Sequence, residues 1–153
     1  MPTFEHEINL DLSAAEFWDV FKDQNTILPK IMPEAVASIV LEGEPGVEAS
    51  RTVTFGPVAT KVTHVKEKLV SMDIEGHTVV SEEVEGGHLE LFGFTKWVQT
   101  LKLISTGENT SKLLITAEYE GGSEEGIAKS DEVTKKGLTD TFKALEQYKK
   151  SSA

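Results

Sequence analysis

The strongest constraint on the fold of this chain is a single change in the spacing of its hydrophobic residues. Up to Glu120, with one interruption, apolar residues recur at every second position, which is typical of half-buried strands. After Gly121-Gly122 they recur at every third or fourth position, as on one face of a helix. A helix from Ser123 to Lys149 would be about 40 Å long. Its predicted inward stripe consists of Ile127, Asp131, Thr134, Leu138, Phe142, Leu145 and Tyr148.

The interruption follows the first predicted strand, Thr3 to Leu12, and has the pattern of two short helices. Ser13 and Glu16 are spaced as a capping box at the start of the first helix. Asn25 is a candidate cap for the second helix, which contains Pro29 and must end before Pro33.

Six further strands are separated by short turns rich in glycine, proline and asparagine. Short turns join antiparallel strands, and only the last helix is large enough to cover the apolar face of the resulting sheet. We therefore predict a single α+β domain over residues 1–153, with a seven-stranded antiparallel sheet curved around a long C-terminal helix. The six predicted strands are Val36–Leu41, Ser50–Phe55, Val58–Met72, His77–Val84, Leu89–Ile104 and Lys112–Glu120.

Composition narrows the possible functions. The 153-residue chain has no cysteine, which excludes thiolate catalysis, disulfides and cysteine-ligated metals. A formal net charge of -11 disfavours binding to nucleic acids and to anionic membranes. Apolar runs are only a few residues long, and no secretory signal precedes Phe4. We expect a cytoplasmic, monomeric protein without a metal or cofactor.

The element order and a series of short sequence strings resemble the Bet v 1 family of pathogenesis-related class 10 proteins, within the START-like superfamily that also includes major latex protein-like members. The resemblance covers essentially the whole chain. The strings are FEHEI from Phe4, ILPKIMPEAV from Ile27, LEGEPG from Leu41, TVTF from Thr52, EVEGG from Glu83, AEY from Ala117 and FKALEQY from Phe142.

This resemblance implies a large hydrophobic cavity between the sheet and the long helix. It implies binding, storage or transport of small plant molecules such as flavonoids, cytokinins or steroids, with a defence role among the expectations. Two positions depart from the family pattern. The usual glycine-rich loop is acidic here, because Glu44 and Glu48 lie beside the remaining Gly43 and Gly46, and Trp97 lies where many relatives have a smaller residue.

Strand alternation predicts which strand side chains face the interior, and the stripe of the long helix adds Thr134, Leu138 and Phe142. Phe21 and Ile27 are candidates to close the mouth of the cavity. The predicted set is mainly apolar with a few polar groups, which is the composition of ligand pockets, although each apolar member could equally be an ordinary core residue. The predicted ligand-binding residues are Phe21, Ile27, Arg51, Val53, Phe55, Val62, His64, Val79, Ser81, Thr95, Trp97, Gln99, Leu101, Leu113, Ile115, Ala117, Tyr119, Thr134, Leu138 and Phe142.

An enzyme of specialised metabolism, such as an isomerase or cyclase, is the alternative to a carrier. His64 and Glu83 are the candidate acid/base residues, because a desolvated pocket shifts the pKa of such groups. His77 and His88 are expected to be solvated. Lysines on the apolar strand faces are confined to Lys66 and Lys68, which disfavours the iminium chemistry of alkaloid-forming relatives.

Two other functions receive less support. Ribonuclease activity has been proposed for relatives, and Glu146 and Tyr148 match two of the implied positions, but Thr95 occupies the place of the strand acid. The gate-loop motifs of hormone receptors with this fold are not recognisable.

Overall fold

The computed structural model describes residues 2–152, and within them it contains seven strands and four helices. The strands are β1 (Thr3–Leu10), β2 (Val36–Glu42), β3 (Ser50–Phe55), β4 (His64–Asp73), β5 (Thr78–Gly86), β6 (Phe94–Ser105) and β7 (Ser111–Gly121). The helices are α1 (Ala14–Phe21), α2 (Gln24–Ile31), α3 (Gly87–Phe92) and α4 (Glu124–Ser151).

All seven strands form one antiparallel sheet in the order β1-β7-β6-β5-β4-β3-β2. Consecutive strands from β2 to β7 are neighbours, as expected from short connections. Strand β1 pairs with β7 and closes the other side of the sheet. The predicted α+β architecture, with two short helices after the first strand and a long C-terminal helix, is confirmed.

The start of α1 follows the predicted capping box. The Ser13 hydroxyl accepts a hydrogen bond from the Glu16 amide, and the Glu16 carboxylate accepts one from the Ser13 amide, both at 3.1 Å. The start of α2 differs from the prediction, because Asp23 and not Asn25 precedes the helix. The Asn25 side chain instead accepts a hydrogen bond from Arg51.

Two stretches predicted as strand have another structure. Strand β4 begins at His64 and not at Val58, because the chain forms a loop after Gly56-Pro57. Residues 87–92 form helix α3, where the sequence predicted a turn and then a strand from Leu89. Gly86 and Gly93 flank this helix with positive φ angles of 70° and 74°, which glycine adopts without strain.

Helix α4 packs against α1, α2, α3 and β1. Its C-terminal half places Phe142 and Leu145 in the core, and both are nearly inaccessible to solvent. Its N-terminal half faces inward with Ser130 and Thr134, which are also buried. Within residues 2–152, none of the helices combines the length and the apolar character needed to cross a membrane.

Candidate functional site

The inner face of the sheet, which faces α4, has two chemically different halves. The packed half consists of the inner faces of β1 and β7 with the C-terminal part of α4, and it is apolar and buried. We define it by Ile8, Leu113, Ile115, Phe142 and Leu145. The polar half consists of the inner faces of β3, β4 and β5, and we define it by Arg51, Glu67, Leu69, Ser81 and Glu83.

Strand register establishes that the polar half faces the interior. Ser81 pairs with Gln99, which pairs with the buried Ala117, and side chains directly opposite each other lie on one face. Arg51 pairs with Glu67, and Glu67 pairs with Glu83. Except for the buried Glu83, the defining residues of the polar half remain partly exposed although they point towards the helix layer.

Arg51 connects the sheet to α2. Its Nε donates to the Glu67 carboxylate at 2.6 Å, and its Nη1 donates to the Asn25 side-chain oxygen at 2.6 Å. The side chains of Arg51 and Glu67 are 27% and 18% exposed, so the pair is only partly hydrated. We call this connection the Arg51 bridge. It ties α2 to the polar half.

The most buried polar group of the polar half is Glu83, whose side chain is 7% exposed. Its Oε1 accepts a hydrogen bond from the His88 amide at 2.8 Å, and its Oε2 lies 2.6 Å from His88 Nδ1. On the other side of the ring, His88 Nε2 lies 2.8 Å from the Thr134 hydroxyl of α4. The three side chains form a continuous chain of hydrogen bonds between sheet and helix.

The hydrogen-bonding capacity of these groups determines the tautomer of a neutral His88. An ionised carboxylate can only accept, so His88 Nδ1 must carry the proton that is donated to Glu83. The Nε2 atom of the neutral ring is then an acceptor, and the Thr134 hydroxyl donates to it. Glu83 therefore holds His88 with its basic nitrogen directed at α4.

Gly87 allows the Glu83 carboxylate to lie close to the backbone and ring of His88. A Cβ atom at Gly87 would lie 2.6 Å from the Val65 side chain and 2.8 Å from the Glu83 carboxylate, so any larger residue would displace one of them. The glycine pair between Glu83 and His88 is the signal in the sequence that could have identified this site. The expectation that His88 is solvated was wrong, because α3 places its ring in the interior with the side chain 18% exposed.

Trp97 fills the interior beside His88. Its side chain is almost fully buried, and its ring stacks on the His88 ring with centroids 3.7 Å apart and planes 7° apart. Phe4, Phe94 and Tyr119 surround it at centroid distances of 5.6 to 5.9 Å. Since an aromatic face also covers His88, bulk water reaches the ring poorly.

Neither of the two best-defined voids in the described part of the chain is the large cavity that the resemblance implies. The roomier of the two best-defined voids measures about 30 Å³ and lies beside Trp97, Tyr119 and Ser130. The other lies between Phe17, Trp18 and Leu101 and is too small for a water molecule. Pockets that enclose small organic ligands measure roughly 300–1,000 Å³, so neither void accommodates such a ligand unless the interior opens.

Three predicted ligand-binding residues lie outside the interior wall. His64 points away from the buried Val65 and bonds the exposed Glu85 through Nε2 at 2.7 Å, because β4 starts at His64 and its inward parity begins one residue later. Val62 is buried in the preceding loop but outside the main core cluster. Thr95 is exposed, because an irregularity between Phe94 and Lys96 shifts the strand register.

The other seventeen predicted residues lie at inward positions of the strands and helices. They are Phe21, Ile27, Arg51, Val53, Phe55, Val79, Ser81, Trp97, Gln99, Leu101, Leu113, Ile115, Ala117, Tyr119, Thr134, Leu138 and Phe142, and all are buried or partly buried. Whether they contact a ligand stays a prediction. Sequence reasoning missed Glu67, which belongs to the polar half, and His88, which contacts Glu83 of the polar half from α3.

Two residues considered for ribonuclease chemistry have other surroundings. Glu146 is buried and accepts a hydrogen bond from the Asp11 amide at 2.6 Å, so it stabilises the connection between β1 and α1. Tyr148 is exposed. The lysines considered for iminium chemistry point outward, and Lys66 pairs with Glu42 at 2.9 Å.

His6 is the inward-facing histidine of β1. Its Nε2 lies 2.7 Å from the Thr139 hydroxyl of α4. Burial, assisted by the positive charge of Lys135, lowers the pKa of His6 below its ordinary value, while Asp131 opposes this effect. In residues 2–152 no group of three or more potential ligand side chains is arranged to hold a metal ion.

Comparison with known proteins agrees with this architecture. The chain is 30% identical over 121 residues to norbelladine synthase of Narcissus pseudonarcissus. This alignment covers 77% of this chain and 74% of the relative. It is 29% identical over 151 residues to the major strawberry allergen Fra a 1-A of Fragaria ananassa. This alignment covers 97% of this chain and 93% of the allergen.

The fold matches that of a norcoclaurine synthase point mutant from Thalictrum flavum, solved in complex with a transition-state analogue. The TM-score is 0.78 at 24% identity, over 99% of this chain and 95% of the synthase. The model of the pathogenesis-related protein Bet v 1 family matches residues 1–151. With fold, sequence relatives and family model in agreement, the chain belongs to the pathogenesis-related protein Bet v 1 family.

Proposed function

We propose that the protein binds a small hydrophobic, aromatic molecule between the polar half of its sheet and helix α4, as a cytoplasmic carrier or store of a flavonoid, cytokinin, steroid or similar plant compound. The observation that carries the proposal is the contrast on the inner face. Side chains such as Arg51, Ser81 and Gln99 point towards the helix layer yet remain partly exposed, whereas the inward side chains of β7 are buried.

The composition of the polar half supports recognition of an amphipathic ligand. Apolar contacts from Leu69, Val79 and Leu138 would bury its hydrocarbon surface, and each buried CH₂ contributes about 0.8 kcal/mol. Polar side chains between them would fix its orientation. In a domain without a ligand role, such inward polar positions would be replaceable by apolar residues at little cost to stability.

We expect binding to require movement, since neither of the two best-defined voids among the described residues is large enough. The Arg51 bridge holds α2 against β3, and helix α3 packs on β4 and β5 and contacts α4. Ligand affinity is reduced by the fraction of molecules in the open state, and mutations that favour that state raise it.

The proposal is tested by titrating the protein with the dye 1-anilinonaphthalene-8-sulfonate and then competing with flavonoids, cytokinins and steroids. The variant Ser81→Phe adds a ring on the inner face, and the variant Val80→Phe adds the same ring one residue away on the outer face. We expect Ser81→Phe to weaken dye binding about tenfold or more and Val80→Phe to leave it within about twofold, which corresponds to 1.4 kcal/mol or more against less than 0.5 kcal/mol.

Equal dye binding by both variants, or no dye binding by the natural sequence, would contradict the carrier proposal. A change in both variants together with a lower denaturation midpoint would mean that folding was affected. For this reason the midpoint in urea is measured alongside each titration.

An enzyme is the second candidate, because a specific observation favours it. A buried carboxylate paired with an imidazole, as in Glu83 and His88, is a common acid/base arrangement. Norbelladine synthase and norcoclaurine synthase show that relatives include enzymes by name. Incubation with a panel of phenolic aldehydes, ketones and amines, followed by mass spectrometry, would reveal turnover, which Glu83→Gln should abolish if this candidate is correct.

A further inference from the structure

The hydroxyl of Thr134, inside helix α4, forms its hydrogen bond with another element. It lies 2.8 Å from Nε2 of His88, which belongs to α3. Thr141, two turns later on the same helix, instead donates to the Gly137 carbonyl at 2.8 Å. Threonine in a helix has two accessible rotamers, and one of them directs the hydroxyl to the carbonyl four residues earlier.

Thr134 therefore has a second stable partner nearby, the carbonyl of Ser130. In the observed rotamer the hydroxyl covers the basic nitrogen of His88. In the alternative rotamer it would bond to its own helix, as Thr141 does, and His88 Nε2 would lose its partner. Glu83 would still hold the other side of the imidazole, so the ring would keep its orientation.

We propose that Glu83, His88 and Thr134 form a gated proton-acceptor site for a phenolic hydroxyl, in which rotation of Thr134 frees His88 Nε2 to accept the proton of a bound ligand. This inference rests on the proposed function, because it names the polar end of the same ligand site. The inference extends the proposed function by assigning the class of ligand and the group that recognises that ligand.

The surroundings favour a phenol over other donors. A carboxylic acid is already an anion at neutral pH, and the buried Glu83 carboxylate would repel it. A phenol enters an apolar interior as a neutral molecule and still offers one proton. The Trp97 ring, whose centroid lies 3.7 Å from that of His88, covers one face of the imidazole and makes the surroundings of the acceptor atom apolar.

The proposed step is a single proton transfer. The O–H bond of the phenol breaks, its electron pair stays on oxygen, and a new N–H bond forms at His88 Nε2. The products are a phenolate and an imidazolium, and the Glu83 carboxylate at 2.6 Å stabilises the imidazolium. The phenolate remains next to the positive ring, so net charge in the site does not change.

The pair of variants Thr134→Ala and Thr134→Ser isolates the hydroxyl. Both remove the methyl group, and only serine keeps the oxygen that covers His88. Diethyl pyrocarbonate modifies unprotonated imidazole nitrogens, and peptide mass spectrometry locates the modification. We expect His88 to react several-fold faster in Thr134→Ala than in Thr134→Ser, while the surface residue His64 reacts equally in both. Equal rates at His88 would overturn the gate, and this test needs no ligand.

The ligand class is tested with 4-nitrophenol, whose anion absorbs visible light and whose neutral form does not. At a pH just below the pKa of the free probe, we expect bound phenolate to increase several-fold from Thr134→Ser to Thr134→Ala. The increase should disappear when His88→Gln is added to Thr134→Ala. Ionisation that persists without His88 would overturn the assignment of the acceptor.

The two proposals fail in distinguishable ways. If the dye and 4-nitrophenol both fail to bind although Thr134→Ala exposes His88 to modification, the ligand-binding proposal and the phenol assignment fall while the gate stands. If 4-nitrophenol binds, shown by equilibrium dialysis, but is never ionised, the proton-acceptor assignment fails and ligand binding stands. Circular dichroism of each variant confirms that it is folded.

Discussion

The packed half and the polar half of the inner sheet face are built from the same strand alternation but use it differently. On β7, every second residue from Ser111 to Tyr119 is buried, and the residues between them are exposed or partly exposed. On β4, only Val65 is buried, and the positions from Lys66 to Val70 are all partly exposed. One half therefore buries its inward side chains, and the other keeps polar groups in an incompletely covered interior.

This difference indicates that one set of inward residues stabilises the fold and that another set is available to contact a ligand. Close packing stabilises most where side chains are completely enclosed. Inward polar groups reduce that stabilisation and are retained where they contact something other than the core. We therefore expect substitutions in the packed half to affect folding and substitutions in the polar half to affect ligand binding.

The largest expected effect is on stability in the packed half. Leu145 is fully buried, so Leu145→Ala should lower the free energy of unfolding by about 2–5 kcal/mol. The matched change Leu69→Ala in the polar half should cost about 1 kcal/mol, because Leu69 is partly exposed. Urea denaturation measures both. Equal losses would show that the two halves are packed alike and would break the comparison.

Glu146 offers a second test of the comparison, because it is a buried acid in the packed half. Glu146→Ala leaves the Asp11 amide without its acceptor and should cost about 1–3 kcal/mol without changing dye binding. As a control, Asp140→Ala removes an exposed ion pair with Lys136 and should cost less than about 1 kcal/mol. A stable Glu146→Ala variant with altered ligand binding would place Glu146 in the functional site instead.

Breaking the Arg51 bridge should open the polar half. Asn25→Ala removes the acceptor on α2 but leaves the Arg51–Glu67 pair intact. We expect a small stability loss of about 0.5–1.5 kcal/mol and a several-fold faster association of the dye in stopped-flow measurements. The exposed change Asn109→Ala is the control. An unchanged association rate would mean that α2 does not limit entry.

The smallest expected effect is the pH dependence contributed by His6. Because burial lowers its pKa in the folded protein below the value of 6.5, the unfolded chain binds its proton first as the pH falls. The contribution of His6 to stability is therefore complete above about pH 6.5 and decreases as the pH falls from there to the folded pKa. His6→Gln should flatten that part of the urea-midpoint profile. An unchanged profile would contradict the assignment of this pH dependence to His6.

The sequence predicted the architecture because its signals are local and repeated. The capping box of Ser13 and Glu16, the alternation of β7 and most of the helical stripe of α4 each follow from residue spacing alone. Ser81 and Gln99 were placed on the inner face for the same reason. These predictions needed no knowledge of contacts distant in sequence. Two members of the predicted stripe, Asp131 and Tyr148, are exposed and do not face the core.

The errors arose where register or backbone conformation changes without a change in hydrophobicity. A strand irregularity next to Phe94 moved Thr95 to the surface, and the loop before β4 moved His64 outward. His88 was missed because Gly86-Gly87 indicates a turn, and nothing in the local pattern shows that these glycines begin a helix. Its partners, Glu83 and Thr134, lie on two other elements, so the glycine pair alone could mark the position but could not show which groups contact His88.

Hydrogen exchange measured by mass spectrometry, with and without saturating dye, tests the central claim most directly. If the polar half is the ligand-binding face, peptides from α2 and from β3 to β5 will gain protection when the dye binds, because their amides open less often in the bound protein. Peptides from β1 and β7 will exchange at nearly the same rate in both states. Protection confined to β1 and β7, or spread evenly over the sheet, would contradict the separation of the two halves.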